Sequence, residues 1–117
     1  MAPDAGPTAR LTSAMLVGAL RRRVAAAGGF ATVIVKGDEI SGVILIQTLE
    51  KGELSGLFER VSNFAGGHAL LRCGPDVGEG VQAIDAYLAR RRRSDPDLWV
   101  VELDIPQAER FAVETLC

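Results

Sequence analysis

The sequence is poor in the residues that build metal centres and disulfide frameworks. It contains one histidine, His68, and two cysteines, Cys73 and Cys117, which have no CxxC spacing. A tetrahedral zinc site of Cys and His ligands needs more such side chains than one chain offers here. Two cysteines do not make a disulfide framework, and a thiol at the last position is expected to be free. We therefore expect no metal, no cofactor and a reducing, cytoplasmic location.

The same scarcity weighs against nucleophilic catalysis. His68 and Cys73 are five positions apart in a segment predicted to be a strand, where an odd separation directs side chains to opposite faces. No GxSxG elbow is present, and GPDVGEG lacks the Gly-Lys-Ser/Thr ending of a phosphate-binding loop. Its Asp76 and Glu79 would repel phosphate at the following helix start, so the segment is interpreted as a capped turn. The sequence assigns no catalytic residue.

Long apolar runs and an excess of one charge are also missing. The stretch AMLVGAL is far shorter than the roughly 18 apolar residues of a membrane span. Its arginines follow the apolar residues, which is the reverse of a secretory signal. Thirteen basic and fifteen acidic residues give a net charge of -2, so no global field holds a polyanion. We expect no membrane association, and the composition does not favour nucleic acid.

The residues that are present predict one α+β domain, residues 11–117, after a flexible tail, residues 1–10. A chain of 117 residues that is 48% hydrophobic and 24% charged matches an ordinary soluble domain. Thr12 or Ser13 is the predicted N-cap of an amphipathic helix that ends before the Gly-Gly pair of AAAGGF. A second amphipathic helix is predicted from about Glu79, and a proline in SDPD ends it.

Between and after these helices, Val-, Ile- and Leu-rich segments predict strands. Glycine-containing turns at KGDE, EKGE and FAGG divide the central segments, and LWVVELD is the last clear strand. The predicted fold is a two-layer antiparallel sheet of about five strands with two amphipathic helices, in the order α-β-β-β-β-α-β. Residues 105–117 form either a helix with Pro106 in its first turn or a strand near Phe111, and the helix is preferred.

One central strand is apolar on both of its faces. Four apolar residues run consecutively at residues 43–46, so both faces need cover from helices or from another subunit. If both helices lie on one side of the sheet, self-association would cover the other side. We therefore expect a homodimer, together with an unidentified protein partner.

Two arginine runs, residues 21–23 and 90–93, are the most distinctive polar feature. Four consecutive helical residues point in directions spread over about 300°, so a whole run cannot face one partner. Some of these arginines fall at the core boundary, where they need nearby carboxylates. The candidates for such ion pairs are Arg23, Arg91, Arg92, Asp95, Asp97 and Glu102. The candidates for an anion or partner surface are Arg21, Arg22, Arg90 and Arg93. The two runs would share one end of the sheet if the strands that follow them run in the same direction.

The segments LVGALRRRVAAAGGFATVIVKGD, GVILIQ and IDAYLARRRRSDPDLWVVELD together resemble a bacterial family of short single-domain proteins of unknown function, DUF1491. The resemblance spans residues 11–104 and implies neither an activity nor any binding residue. From the residues themselves, the protein is interpreted as a small cytoplasmic, non-enzymatic module for protein interaction or regulation. One alternative is an arginine-mediated nucleic-acid or anion-binding protein. A second alternative is a small-molecule binder or an enzyme of unknown class.

Overall fold

The computed structural model describes residues 11–63 and 65–117, so the expected flexible tail, residues 1–10, lies outside the described residues. The elements follow in the order α1 (Ser13–Ala26), β1 (Phe30–Val35), β2 (Ile44–Glu50), β3 (Glu53–Ser62), β4 (His68–Arg72), a 3-10 turn (Val77–Glu79), α2 (Val81–Ser94), β5 (Trp99–Asp104) and α3 (Ala108–Leu116). The predicted α+β class and the order α-β-β-β-β-α-β are confirmed. The preferred C-terminal helix is α3, and Pro106 precedes it instead of lying in its first turn.

The helix ends follow from capping residues. The Thr12 hydroxyl accepts a hydrogen bond from the backbone N–H of Met15 at 3.1 Å, which satisfies one of the free donors at the start of α1. Gly28, with a φ of 88°, takes the left-handed conformation that ends the helix. Before α2, the Glu79 carboxylate accepts a hydrogen bond from the Asp76 N–H at 3.1 Å. GPDVGEG is therefore the capped turn that the sequence predicts.

The sheet has five strands in the order β1-β5-β2-β3-β4. β5 pairs antiparallel with β1 and parallel with β2, while β2–β3 and β3–β4 are antiparallel. The sheet is thus mostly antiparallel, with one parallel pair. β5 enters between two strands that are consecutive in the sequence, because Trp99, Val100 and Val101 are buried on both faces and need a central position.

Helices cover both faces of this sheet, so the fold has three layers and not the two that the sequence predicts. On the first face, α1 and α3 pack over side chains that include Ile46 and Val101. On the second face, Leu88 of α2 packs against Leu45 and Val100. A helix therefore packs on the second face of residues 43–46, which is one of the two alternatives, helix or second subunit, that the sequence left open. The homodimer was predicted from an uncovered sheet face, and this face is covered by α2. The oligomeric state stays a prediction.

The loop between β1 and β2, residues 36–43, packs across the start of β5. Trp99 Nε1 donates to the Asp38 carbonyl at 2.7 Å, and the Asp38 N–H donates to the Asp97 carbonyl at 3.0 Å. The Ser13 hydroxyl donates to the Gly42 carbonyl at 2.6 Å, which connects the loop to the start of α1. KGDE therefore belongs to a crossing loop and not to a hairpin, since β5 occupies the place beside β1.

Candidate functional site at the free edge of the sheet

β1 is an edge strand whose outer side is unpaired within the described part of the chain. Such an edge presents a row of backbone N–H and C=O groups that can pair with another strand. Folded proteins usually protect an edge with charged residues, proline or a β-bulge. FATVIV contains no charged residue and no proline, and its pairing with β5 has one bulge, between Val33 and Val35. Two large apolar side chains of this strand are also exposed, Phe30 at 72% and Ile34 at 51%. β1 is therefore suited to recruiting another strand.

A groove lies on each side of β1. On the α1 side, two adjoining cavities of about 410 and 320 Å³ share Gly18 and Arg21. On the α2 side, two adjoining cavities of about 440 and 240 Å³ share Val35, Ala89 and Arg92. Successive side chains of an added strand would point alternately into these two grooves. We call them the α1 groove and the α2 groove.

Basic side chains dominate the lining of both grooves. Arg21 and Arg22 line the α1 groove, Arg92 and Arg93 line the α2 groove, and Lys36 lines both. Asp85 is the carboxylate that lines them, in the α2 groove. Lys36 is paired with Glu39 at 3.2 Å, whereas none of the ion pairs within residues 11–63 and 65–117 includes the four arginines. The free edge of β1 is therefore bordered by uncompensated positive charge.

The structure places the two arginine runs at opposite ends of β1. α1 leads into β1 and α2 leads into β5, and these two strands are antiparallel. The condition for all seven arginines to meet at one end, strands running in the same direction, is not met. Arg21 and Arg22 lie at the start of β1 on the first face, and Arg93 lies at its end on the second. Arg90, expected to act with Arg93, instead lies 6.0 Å over the Tyr87 ring.

Two arginines form ion pairs with partners that are distant in sequence. Arg91 Nη1 donates to the Glu59 carboxylate at 3.0 Å and to the Tyr87 hydroxyl at 2.7 Å. This hydrogen bond to the Glu59 carboxylate is the main reason that the pKa of Arg91 lies above its usual value. Arg23 Nη2 donates to Glu114 at 2.8 Å. These contacts fasten α2 to β3 and α1 to α3.

The carboxylates expected from the sequence have different partners, which corrects the expected ion pairs. The Asp95 carboxylate accepts a hydrogen bond from the backbone N–H of Asp97 at 3.1 Å, and the Glu102 carboxylate accepts one from Gln47 Nε2 at 2.9 Å. Arg92 is in no ion pair within the described residues. The sequence reasoning considered only carboxylates close to the arginines along the chain. The true partners come from β3 and α3, which tertiary packing brings alongside the helices.

The residues with catalytic potential are not brought together. Leu70, which shares a face of β4 with His68, packs on the first face of the sheet, whereas Cys73 packs on the second. Burial raises the pKa of the Cys73 thiol, so less of it is thiolate at neutral pH. Burial lowers the pKa of His68. His68 and Cys73 therefore lie on opposite faces of the sheet, in agreement with their odd spacing.

Residues 11–63 and 65–117 contain no helix with the length and hydrophobicity of a membrane span. No group of His, Cys, Asp or Glu side chains in those residues is arranged to hold a metal ion. Cys73 and Cys117 are both free thiols.

Sequence reasoning missed the edge of β1 because the first strand was grouped with the strands that follow it. Phe30, Ile34 and Lys36 were not among the candidate residues. A usable signal was present in the two strand sequences. The last strand is continuously apolar at LWVV, as a central strand should be, whereas FATVIV contains Ala and Thr and is more typical of an edge.

Comparisons with known proteins agree with this fold. The family model DUF1491, described as a protein of unknown function, matches residues 11–113. A crystal structure of a DUF1491 family protein from Caulobacter crescentus CB15 is 33% identical with a TM-score of 0.75, covering 86% of this chain and 94% of that chain. An NMR structure of a DUF1491 family protein from the same organism gives 32% identity and a TM-score of 0.72, with coverage of 86% and 91%.

The solution structure of protein Atu0922 from A. tumefaciens is 36% identical with a TM-score of 0.63, covering 82% of this chain and 86% of that chain. No curated protein matches the sequence. The family match extends over most of the chain, from α1 into α3. The chain therefore belongs to the DUF1491 family.

Proposed function

We propose that this protein is a non-enzymatic interaction module that binds an extended segment of a partner protein along β1. The observation that carries the proposal is an apolar edge strand, without charged residues or proline, between two open grooves. In this mode of recognition, main-chain hydrogen bonds supply affinity and the pockets for alternate side chains supply specificity. The two free thiols support a reducing, cytoplasmic location for this activity.

A second copy of the chain fits this edge less well than a different partner. Pairing β1 with its own copy would bring a second set of the same groove cations, Arg21, Arg22, Lys36, Arg92 and Arg93, to one seam. Like charges at close range oppose association. A homodimer through another surface stays a prediction, and the light-scattering mass of the purified protein would test it.

The proposal can be tested by selecting a displayed library of random peptides on the full chain. We expect the selected peptides to slow hydrogen exchange of the β1 backbone amides. Replacing both exposed apolar side chains, Phe30→Ser and Ile34→Ser, should weaken binding about tenfold, because buried apolar contact is lost. Ile40→Ser is the matched control, since Ile40 is 69% exposed but lies outside β1.

Two results would overturn the proposal. Peptides that protect amides elsewhere, or that bind the double variant as tightly as the wild type, would place the interaction on another surface. A light-scattering mass that falls from dimer to monomer in the double variant would identify a second copy as the occupant of β1.

A further inference from the structure

We infer that the segment bound along β1 is acidic, with carboxylates at two positions five residues apart that reach opposite faces of the sheet. This inference rests on the proposed function and adds the chemistry of the partner. The separation and the change of face both follow from where the arginine runs meet β1.

The first basic position lies at the start of β1 on the α1 side. Arg21 and Arg22 line this part of the α1 groove together with Gly29 and Phe30. Both arginines are exposed, and neither is in an ion pair within the described part of the chain. A carboxylate of an added strand that points into the α1 groove here would find two guanidinium groups, which bind carboxylates through paired hydrogen bonds.

The second basic position lies at the end of β1 on the α2 side. Arg92, Arg93 and Lys36 line the α2 groove beside Val35 and Pro96. Asp85 lies further along this groove, beside Ile34. The net charge at the Val35 end is therefore positive, and a carboxylate is the complementary group.

The spacing of the two positions selects a pattern in the partner. Phe30 and Val35 pair with Asp104 and Val100 of β5, which are four residues apart, because β1 is bulged between Val33 and Val35. The two basic positions are therefore about 14 Å apart along the sheet. Side chains an odd number of positions apart in a regular added strand point to opposite faces, and five positions, about 17 Å, is the smallest odd separation that spans this distance. One carboxylate would enter the α1 groove and the other would enter the α2 groove. An even separation would send both to the same face and leave one basic position unmatched.

The middle of the edge calls for apolar side chains. The central part of the α1 groove is lined by Ala14, Val17 and Val33, with Gly18 leaving additional room. The corresponding part of the α2 groove is lined by Val35, Leu88 and Ala89. Apolar residues with high strand propensity, such as valine, fit between the two acidic positions.

Nucleic acid is the other polyanion to consider, and the geometry favours a peptide. The two basic positions lie at opposite ends of β1 and on opposite faces of the sheet. A phosphate backbone gains affinity from many contacts along one continuous basic surface, which this arrangement does not provide. The unpaired backbone groups of β1 match the hydrogen-bonding pattern of an extended polypeptide.

The inference is tested with two fluorescently labelled synthetic peptides that contain the same residues. Both alternate valine and threonine and carry two glutamates, which are five positions apart in the first peptide and four apart in the second. Net charge and composition are equal, so nonspecific attraction is equal. Measured by fluorescence anisotropy with the full chain, the first peptide should bind about tenfold more tightly than the second, because only it satisfies both basic positions.

A matched pair of variants locates the contact on α2. Arg93→Glu should weaken binding of the first peptide about tenfold, because Arg93 lines the α2 groove. Arg90→Glu makes the same charge change on the same helix outside the groove, and it should change the affinity less than twofold. Arg22→Glu should repeat the loss at the other end of β1. All three side chains are exposed, so the fold should be retained, and circular dichroism checks it.

The outcomes separate the inference from the proposed function. Equal affinity of the two peptides, with β1 amides still protected from exchange, would overturn the acidic pattern and leave strand addition at β1 intact. Binding of neither peptide and of no library peptide at β1 would overturn both. Tighter binding of a single-stranded oligonucleotide that is lost in both Arg22→Glu and Arg93→Glu would replace the peptide with nucleic acid.

Discussion

Gly42→Ala should destabilise the protein strongly because residues 36–43 lie against the start of β5 without room for a methyl group. A Cβ at position 42 would lie 2.2 Å from the Asp97 carbonyl oxygen and 2.8 Å from Trp99 Cδ1. Ordinary van der Waals contact begins at 3.4 Å, so the methyl group is about 1.2 Å too close to a backbone atom. The loop must move, since a carbonyl oxygen cannot rotate away as a flexible side chain can.

The cost can be worked out from the contacts that the movement disturbs. Overpacking of a well-packed site costs about 1 to 3 kcal/mol. The loop also holds the hydrogen bond from Trp99 Nε1 to the Asp38 carbonyl, and losing it costs about 0.5 to 1.5 kcal/mol. Alanine also lowers the conformational entropy of the unfolded chain relative to glycine, which stabilises the folded protein by about 0.4 to 1 kcal/mol. We expect a net loss of about 0.5 to 4 kcal/mol in the free energy of unfolding.

Urea denaturation followed by circular dichroism would measure this loss, and Gly78→Ala is the control. A Cβ at Gly78 has no atom within 4 Å, and its φ is not positive, so this variant should match or slightly exceed the wild type. A Gly42→Ala protein with the urea midpoint of Gly78→Ala would refute the close contact between the loop and β5. A midpoint lowered equally in both variants would show a general effect of alanine.

Three further measurements test other parts of the structure. A double-mutant cycle on Arg91→Ala and Glu59→Ala should give a coupling free energy of about 0.5 to 1 kcal/mol, because both side chains are only 25% exposed. Losses of stability that simply add in the double mutant would contradict this ion pair. Burial, with a smaller effect of Arg60, lowers the pKa of His68 below 6.5, so the unfolded chain binds this proton more tightly than the folded chain. The stability contributed by neutral His68 is therefore complete above pH 6.5 and is lost as pH falls. The wild type should lose free energy of unfolding relative to His68→Gln between about pH 7 and 5. A difference between the two proteins that stays constant over this range would contradict the prediction. A heparin column should release the protein at low salt, because the arginine runs lie at opposite ends of β1. If the wild type is retained strongly and an Arg90→Glu/Arg93→Glu variant is not, these arginines form an anion-binding surface instead.

The fold class was predictable because the signals for each element are local. The amphipathic spacing of α1 and α2, the cap at Thr12 and the glycine turns each act within a few residues. The C-terminal helix was harder to predict, because a short apolar tail fits a strand or a helix until it has a surface to pack on. α3 has that surface in α1 and the first face of the sheet.

The candidate site was only half predictable. Arg21, Arg22 and Arg93 were named from their places near helix ends, because helical geometry alone directs them to solvent. Their relation to one another depends on the direction of β5 relative to β1, which no local pattern encodes. The exposed Phe30 and Ile34 were missed for the same reason, since a strand is recognised as an edge only when its neighbours are known.

By itself, the sequence determined the helices, the strands, their order along the chain and the positions of the arginine runs, because propensity, periodicity and capping act over short distances. Only the tertiary structure decided that β5 lies between β1 and β2. That insertion makes β1 an edge, sets the arginine runs at its two ends and gives Arg91 its partner in β3. The physical reason is that strand order depends on burying apolar surface between segments far apart in the chain, as the buried faces of Val100 and Val101 show.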